Sequence, residues 1–472
     1  MLIPWVTQRR TGVGDVWNGI RSGSVQRSTA AKRGAHLHAA LVGQPGSCIR
    51  QLAQRDRARE IQFTRFLRND AVTAEEMAGY AAEGTAARAR GRDIVVAQDT
   101  SELSVGGRRA KANGYGPIGK GGALRGLLLH AALAVDAESG GVIGLVDAKV
   151  WNRSGGKKVE SRRSRTTEQK ESQRWIDTTT HSAEVLKEAA SITGVSDRES
   201  DMYEHFALRP QNMDLVVRAC QNRRIETDEE EQIELLFSYV DALPEQGRFK
   251  VAIPAAPGRK ARTAELAIRF GPIVLRRPQQ AAADLPETVA LTMVDVREIS
   301  APPDGKAIHW RLLTTRSVMN TDEARRTVEL YRMRWVIEEY FHTLKTGGFD
   351  IEGADIGDPQ VMIRLVAAIA IAGVTVMQLV RARDGTTGQC ALDAFEPSDL
   401  PVLEALSTSL QGKTARQKNP FRKGSLAFAA WVIARLGGWN GYYGKPGPKT
   451  MRLGLEAFQS IKLGTTLRLK DV

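Results

Sequence analysis

Residues 331–347, YRMRWVIEEYFHTLKTG, constrain this chain more than any other stretch. They hold no Pro and their only Gly comes last, so a single helix is predicted. On a helix, steps of three, four and seven residues return to one face. Tyr331, Arg334, Glu338, His342 and Lys345 follow one another at steps of 3, 4, 4 and 3 and share one polar stripe. Val336, Ile337, Tyr340, Phe341 and Leu344 supply an apolar face that docks the helix on a core. A solvated surface helix laced with ion pairs has the same spacing. A docked helix that presents one carboxylate between cations has the make-up of a metal or phosphate site.

Two acids upstream stand where apolar runs end. Residues 94–97, IVVA, form a short continuous apolar run, as expected of a central strand covered on both faces, and lead through Gln98 to Asp99. Residues 193–196 lead to Asp197, which opens the run Asp197, Arg198, Glu199, Ser200, Asp201. Taken singly, an Asp in such a place also serves as a turn residue or helix cap. The three motifs together resemble a family. Tyr331, Arg334, Glu338 and Lys345 fill Y-x2-R-x3-E-x6-K, and residues 197–201 are similar to a D-R-E-x-D motif. The chain thereby resembles bacterial DDE transposases of insertion sequences and composite transposons, the YREK (IS-four) class, from about residue 20 onward.

The resemblance implies an α/β fold: an RNase H-like catalytic domain with an all-β insertion, flanked by helical N- and C-terminal domains. The expected divisions are a helical terminal-repeat-binding domain at 1–72, a catalytic domain at 73–353 with its insertion at about 222–320, and a helical dimerisation and DNA-contact domain at 354–472. The resemblance also implies that Asp99, Asp197 and Glu338 are catalytic and hold two Mg2+ ions, with Asp99 bridging. Phosphodiester cleavage needs an activated water and neutralised charge, which two such ions supply. Hard cations take oxygen donors, and a carboxylate site accepts Mn2+ as well. Tyr331, Arg334 and Lys345 would hold the transferred strand, and Trp310 would receive a flipped base. Arg218 would contact DNA, as would Arg65 and Arg68, which lie in a segment similar to Arg-Phe-x-Arg-Asn, and Arg33 on the preceding helix. A Trp on a strand serves equally as core, and an Arg-rich helix face as solvated surface. Arg198 and Asp201 are candidate supports for Asp197, and His130 a core histidine near the site.

The implied partners are double-stranded DNA, both terminal repeats and target, and a second copy of the chain in a homodimeric paired-end complex. The implied reaction is cut-and-paste transposition by strand cleavage, hairpin formation and strand transfer. Two other readings remain: an RNase H-like metal-dependent endonuclease, and a non-catalytic DNA-binding regulator of transposition. The first has no use for the Tyr331, Arg334, Lys345 stripe. The second is favoured by loss of an acid, and none is lost.

Charge agrees with a polyanionic partner. The chain of 472 residues carries 67 Lys and Arg against 54 Asp and Glu, a net +13. The excess gathers at the ends: residues 1–90 hold 14 cations and 7 acids, residues 401–472 hold 12 and 3. Cys48, Cys220 and Cys390 form neither a disulfide framework nor a zinc pattern, as in a reducing cytoplasm. No apolar stretch near the N-terminus has the form of a signal peptide. Residues 361–380 are apolar but carry Arg364 and Gln378, which predicts a buried helix rather than a membrane span. Cytoplasmic residence on the nucleoid DNA is expected. Helices are predicted at 26–41, 48–69, 168–190, 359–383, 398–410, 425–436 and 450–462, and strands at 94–97, 127–135, 141–150 and 214–220. Residues 106–122 read as a Gly-rich loop, and 153–170 as a mobile basic loop suited to DNA. Within the insertion, strands are predicted at 248–253, 264–270, 274–277, 288–299 and 309–315.

Overall fold

A computed structural model describes residues 25–44, 46–106, 111, 113–153, 171–226, 233–253, 260–300 and 307–468. The basic loop expected at 153–170 lies outside the described residues beyond Arg153. Strand β1 (Asp93–Ser104) is the middle of the architecture because Ile94, Val95, Val96 and Ala97 are buried on both faces. It pairs antiparallel with β3 (Leu124–Asp136) and parallel with β5 (Ser191–Ser196). Beyond β3 lie β2 (Gly116–Ile118) and β4 (Val142–Trp151), which share its outer edge. Beyond β5 lies β6 (Asp214–Arg218), again parallel.

The sheet then continues into the segment read as an insertion. β12 (His309–Thr314) pairs antiparallel with β6, followed by β11 (Thr288–Glu298) and β10 (Arg262–Arg276). The far edge of β10 carries β9 (Gly247–Ile253) and β7 (Arg224–Glu226), and β7 pairs with β8 (Ile233–Leu235). This mixed, open sheet flanked by helices is consistent with an RNase H-like fold. The predicted insertion is thus joined to the rest of the sheet by a backbone ladder. It also holds a helix, residues Leu236–Ala242, which seats Leu236 and Val240 on the sheet. The two strands expected at 264–270 and 274–277 are one, since Gly271 and Pro272 pass through β10 without ending it.

The helices are α1 (Val25–Gly43), α2 (Ile49–Leu52), α3 (Arg57–Leu67), α4 (Ala74–Ala89), α5 (Gln173–Val185) and α6 (Tyr203–Ala207). Past the helix of the insertion come α8 (Thr321–Arg332), α9 (Trp335–Lys345), α10 (Pro359–Ala382), α11 (Leu400–Leu410), α12 (Leu426–Leu436) and α13 (Pro448–Arg468); the insertion helix is α7. The helix expected at 48–69 is broken, because Gln54 and Arg55 both have positive φ and Asp56 starts α3 by accepting the amides of Ala58 and Arg59. No sequence signal had singled out α4, whose Ala-rich face packs on β4 and α10.

Helix α10 is long and apolar enough to cross a membrane, yet 94% of its most apolar stretch is buried inside the protein. It packs against β4, α1, α4, α9, α12 and α13. Its two polar interruptions have partners. Arg364 donates to the carbonyls of Val72 (2.7 Å) and Leu67 (3.1 Å) and to Asp70 (2.8 Å). Gln378 reaches the Ile143 carbonyl at 3.3 Å.

Period-two alternation assigns the two faces of the sheet. Val95, Ala97, Leu129, Leu133, Val195, Val216 and Leu312 join the core under α9 and α10. Ile94, Val96, Ala132, Ala134 and Ile192 join a second core with Ala183 and Leu186, at the end of α5. Ile94 to Ala97 of β1 are therefore divided alternately between the two cores.

Candidate active site

β1 runs on to Ser104, so Asp99 lies within a strand and not at its end. What ends is the parallel partner: β5 pairs with β1 only as far as Val195 opposite Ala97, and stops at Ser196. Counting two residues on from that pair puts Asp99 and Asp197 at matching positions on neighbouring strands. Both share the parity of Ala97 and Val195, which faces α9. Asp197 then turns the chain, its Oδ1 accepting the Glu199 amide at 2.9 Å. The same parity brings Arg218 on β6 and Trp310 on β12 to this face, where Leu312 stands opposite Arg218.

The polar helix of residues 331–347 is two helices. Tyr331 belongs to the last turn of α8, and Arg334 is the cap of α9. Between them the hydrogen bonds tighten to three-residue spacing: Met333 to Leu330, Arg334 to Tyr331, Val336 to Met333 and Ile337 to Arg334. This bend does not break the stripe. Arg334, nearly buried, donates from Nη1 to Asp99 Oδ2 (3.2 Å) and from Nη2 to Glu338 Oε1 (2.5 Å). Its guanidinium carbon also lies 5.1 Å from the ring of Trp335, a half-exposed residue that the sequence reading passed over.

Electrostatics follow from this crowding. Burial pushes the Asp99 carboxyl up to about 7, and the charge of Asp197 adds to the rise. The Thr100 amide at 2.7 Å and Arg334 pull downward without prevailing, and Glu338 adds a smaller upward push. Burial also raises the Tyr331 hydroxyl, against the pull of Arg334 and Arg218. The Tyr331 ring meets Trp310 edge-on at 6.2 Å between centroids. Arg218 donates to the His309 carbonyl at 3.0 Å.

Asp99, Asp197, Glu338, Arg334, Tyr331, Arg218 and Trp310 therefore gather in one region. Lys345 does not join the carboxylates. It stands 3.9 Å from Glu352, which accepts the Ser104 amide at 2.8 Å, five residues and about 16 Å further along β1. Arg65 and Arg68 are exposed on and just after α3, and Arg33 is half-buried on α1, on other elements than those that carry the carboxylates. Asp201 is fully buried and accepts the amides of Cys220 and Gln221 and an ion pair from Arg223, so it anchors the turn after Asp197. His130 is buried on the α5 face of the sheet, its ring edge-on to Trp175 at 4.7 Å, and burial lowers its pKa well below the ordinary value.

Among the described residues, no group of three or more His, Cys, Asp or Glu side chains stands close enough to hold a metal ion. Asp99 and Glu338 are joined through Arg334 instead. The donor set nonetheless suits a hard divalent cation: three carboxylates, one driven up by burial beside a second. A cation of higher charge there would relieve the repulsion that Arg334 relieves only in part.

Sequence reasoning missed the polar residues on the α5 face. Gln98 and Thr100 flank Asp99 and point the other way, toward α5, where Arg174 and Thr179 receive them. Alternation along β1 was a usable signal for Gln98 and Thr100. Nothing in the sequence marked Arg174.

A family model described as "Transposase DDE domain" matches residues 138–372. That stretch is homologous to the DDE transposases, and the homology supports a general role in cutting DNA for transposition. Asp197 and Glu338 lie within the matched residues, whereas Asp99 precedes them.

Proposed function

We propose, from the transposase homology of residues 138–372, that the protein is a cut-and-paste DNA transposase of the YREK (IS-four) class. In this reading it binds inverted repeats at transposon ends and acts as a homodimer that holds two ends together. The observation that supports it best is the convergence of Asp99 and Glu338 on Arg334, with the charge of Asp197 beside Asp99 and with Tyr331, Arg218 and Trp310 on the same face. A nuclease of the same fold would need only the carboxylates.

Asp99, Asp197 and Glu338 are the residues that would hold Mg2+ or Mn2+, which when bound supplies an acidified water and neutralises phosphate charge. The chain's own groups do the rest. Arg334 exchanges its carboxylate partners for phosphate oxygens, which match its planar fork. Tyr331 offers its hydroxyl to a phosphate oxygen, and Lys345 and Arg218 bind phosphate as further cations. Hydrolysis forms a bond from water oxygen to phosphorus, breaks the bond to the 3′ oxygen, and leaves a 3′-OH and a 5′-phosphate. That 3′-OH then attacks the opposite strand: one phosphorus–oxygen bond forms as another breaks, a hairpin closes, and flanking DNA leaves. A flipped base stacked on Trp310 permits the tight bend. A second hydrolysis reopens the hairpin, and the 3′-OH attacks target DNA by the same exchange.

The test is cleavage of the DNA flanking the coding sequence by wild type, Asp99→Asn and Glu338→Gln, with Mg2+ or with EDTA, read on a denaturing gel. Metal-dependent nicks and hairpins that both variants lose are expected. Cuts at arbitrary sites with no hairpin would replace this reading by the nuclease. Repeat binding without any cutting would replace it by the regulator.

A further inference from the structure

Resting on the reading that Asp99 and Asp197 are the reaction centre, we infer that Arg174 on α5 is a positioning residue that fixes the spacing of these two carboxylates. Arg174 touches neither of them. Its Nε donates to Thr100 Oγ1 at 2.8 Å, on the residue after Asp99. Its Nη2 donates to Glu199 Oε2 at 2.7 Å, two residues after Asp197. Its Nη1 is held by the Glu171 carbonyl at 2.7 Å, at the start of its own helix. The guanidinium carbon lies 5.4 Å from the Trp175 ring and 6.0 Å from that of Trp151. With the side chain only 11% exposed and every nitrogen engaged, Arg174 is not free to bind phosphate.

The clamp has a second arm. Gln98, before Asp99, donates to Thr179 Oγ1 at 3.0 Å. Thr179 lies 2.8 Å from His205 Nε2, and His205 Nδ1 lies 3.2 Å from the Ser200 carbonyl, in the turn after Asp197. Thr100 accepts from Arg174 and is then able to donate to His130 Nδ1 at 2.8 Å. Helix α5 thus ties the residues on both sides of Asp99 to the turn that carries Asp197. The tie matters because the direct ladder between β1 and β5 has already ended at Val195. Past that point no backbone hydrogen bond holds the two acids at a set distance, and the polar bridges replace it.

The same duplex assay, run under single turnover at saturating protein, tests this with Arg174→Met, Arg174→Lys and Glu199→Gln. Mn2+ affinity is measured in parallel by electron paramagnetic resonance on the whole protein. Loss of a group that orients a metal-binding carboxylate costs 10- to 100-fold. Arg174→Met is expected to cut about 100-fold more slowly and to bind Mn2+ about 10-fold more weakly, with duplex binding within about threefold of wild type. Arg174→Lys restores part of the rate, since one ammonium reaches Thr100 or Glu199 but not both. Glu199→Gln, at an exposed position, keeps the fold and slows cleavage about tenfold even if Arg174→Met does not fold. Cleavage and Mn2+ affinity within threefold of wild type in Glu199→Gln and in a folded Arg174 variant would overturn the inference, provided Asp99→Asn abolishes cleavage. If Asp99→Asn cuts normally, the underlying reading fails instead.

Discussion

At the scale of the residue, Asp99 carries an ionisation cost that depends on pH. Its folded pKa of about 7 lies above the ordinary value of 3.8 because of burial and the facing Asp197. Between these values the folded protein binds a proton that the unfolded chain has released. Stability therefore falls as pH rises from about 4 to 7 and levels off above, by a few kcal/mol in all. Asp99→Asn keeps the shape without the charge. In metal-free buffer it should raise urea stability by about 2 kcal/mol at pH 8, and by less than half of that at pH 5. An equal gain at both pH values would show that Asp99 is not destabilised by its charge. Trp310 admits a sharper kinetic prediction. Stacking a flipped base contributes about 1–3 kcal/mol, so Trp310→Ala should slow hairpin closure about 10- to 100-fold while the first nick changes little. Equal slowing of both steps on the gel would return Trp310 to the role of core packing against Tyr331.

At the scale of the element, the crossing of α12 and α13 depends on an absent side chain. A Cβ on Gly454 would stand 1.8 Å from the Ile433 carbonyl oxygen, and one on Gly437 would stand 2.1 Å from that of Thr450. Gly to Ala inside a helix usually stabilises by about 0.5–1 kcal/mol. Here backbone blocks the new atom, so Gly454→Ala should destabilise by about 2 kcal/mol or more in urea unfolding. Stabilisation would mean that the two helices separate without cost. Arg364→Ala on α10 should cost about 2–4 kcal/mol, because the buried carbonyls of Val72 and Leu67 lose their donor. The contrast between these elements explains what the sequence made legible. The apolar α10, the start of α12 at Ser425 and the strands on either side of β1 follow from local pattern, whereas the break that starts α3 at Asp56 does not. Asp99 at mid-strand does not, since the continuous buried run stops at Gln98 while pairing with β3 continues to Ser104. The bend at Met333 and Arg334 does not either: both residues keep right-handed helical dihedrals, and only the change to three-residue hydrogen bonding divides α8 from α9. Arg174 was illegible for a further reason, as its two distant partners, Thr100 on β1 and Glu199 in the turn after β5, meet α5 only in the fold.

At the scale of the whole molecule, the site is a product of register and parity acting over one sheet. Asp99, Arg218 and Trp310 lie on three strands and Asp197 just past the end of a fourth, spread over more than 200 residues, and all share parity with a neighbour in the core beneath α9 and α10. The sequence supplied the residues; the shared face came from pairing. The proposed DNA surface would extend past this face if the cations at both ends of the chain, which lie outside it, bind phosphate. Arg65 and Arg68 are exposed near α3. Lys413, Arg416, Lys418 and Arg422 are exposed in the segment before α12, where Thr414 meets the Tyr442 hydroxyl at 2.7 Å and Arg416 lies over its ring. If both regions carry phosphate, each cation that binds releases one counterion, and the logarithm of affinity falls with that of salt at about 0.9 per contact. Arg65→Gln with Arg68→Gln should therefore reduce the salt slope of duplex binding by about 2, and Lys413→Gln with Lys418→Gln by a similar amount. The four changes together should reduce it by about 4 while the melting temperature stays near that of wild type, because none of these side chains is buried. An unchanged slope in one pair would remove that end of the chain from the DNA surface, and unchanged slopes in both would confine DNA to the sheet face.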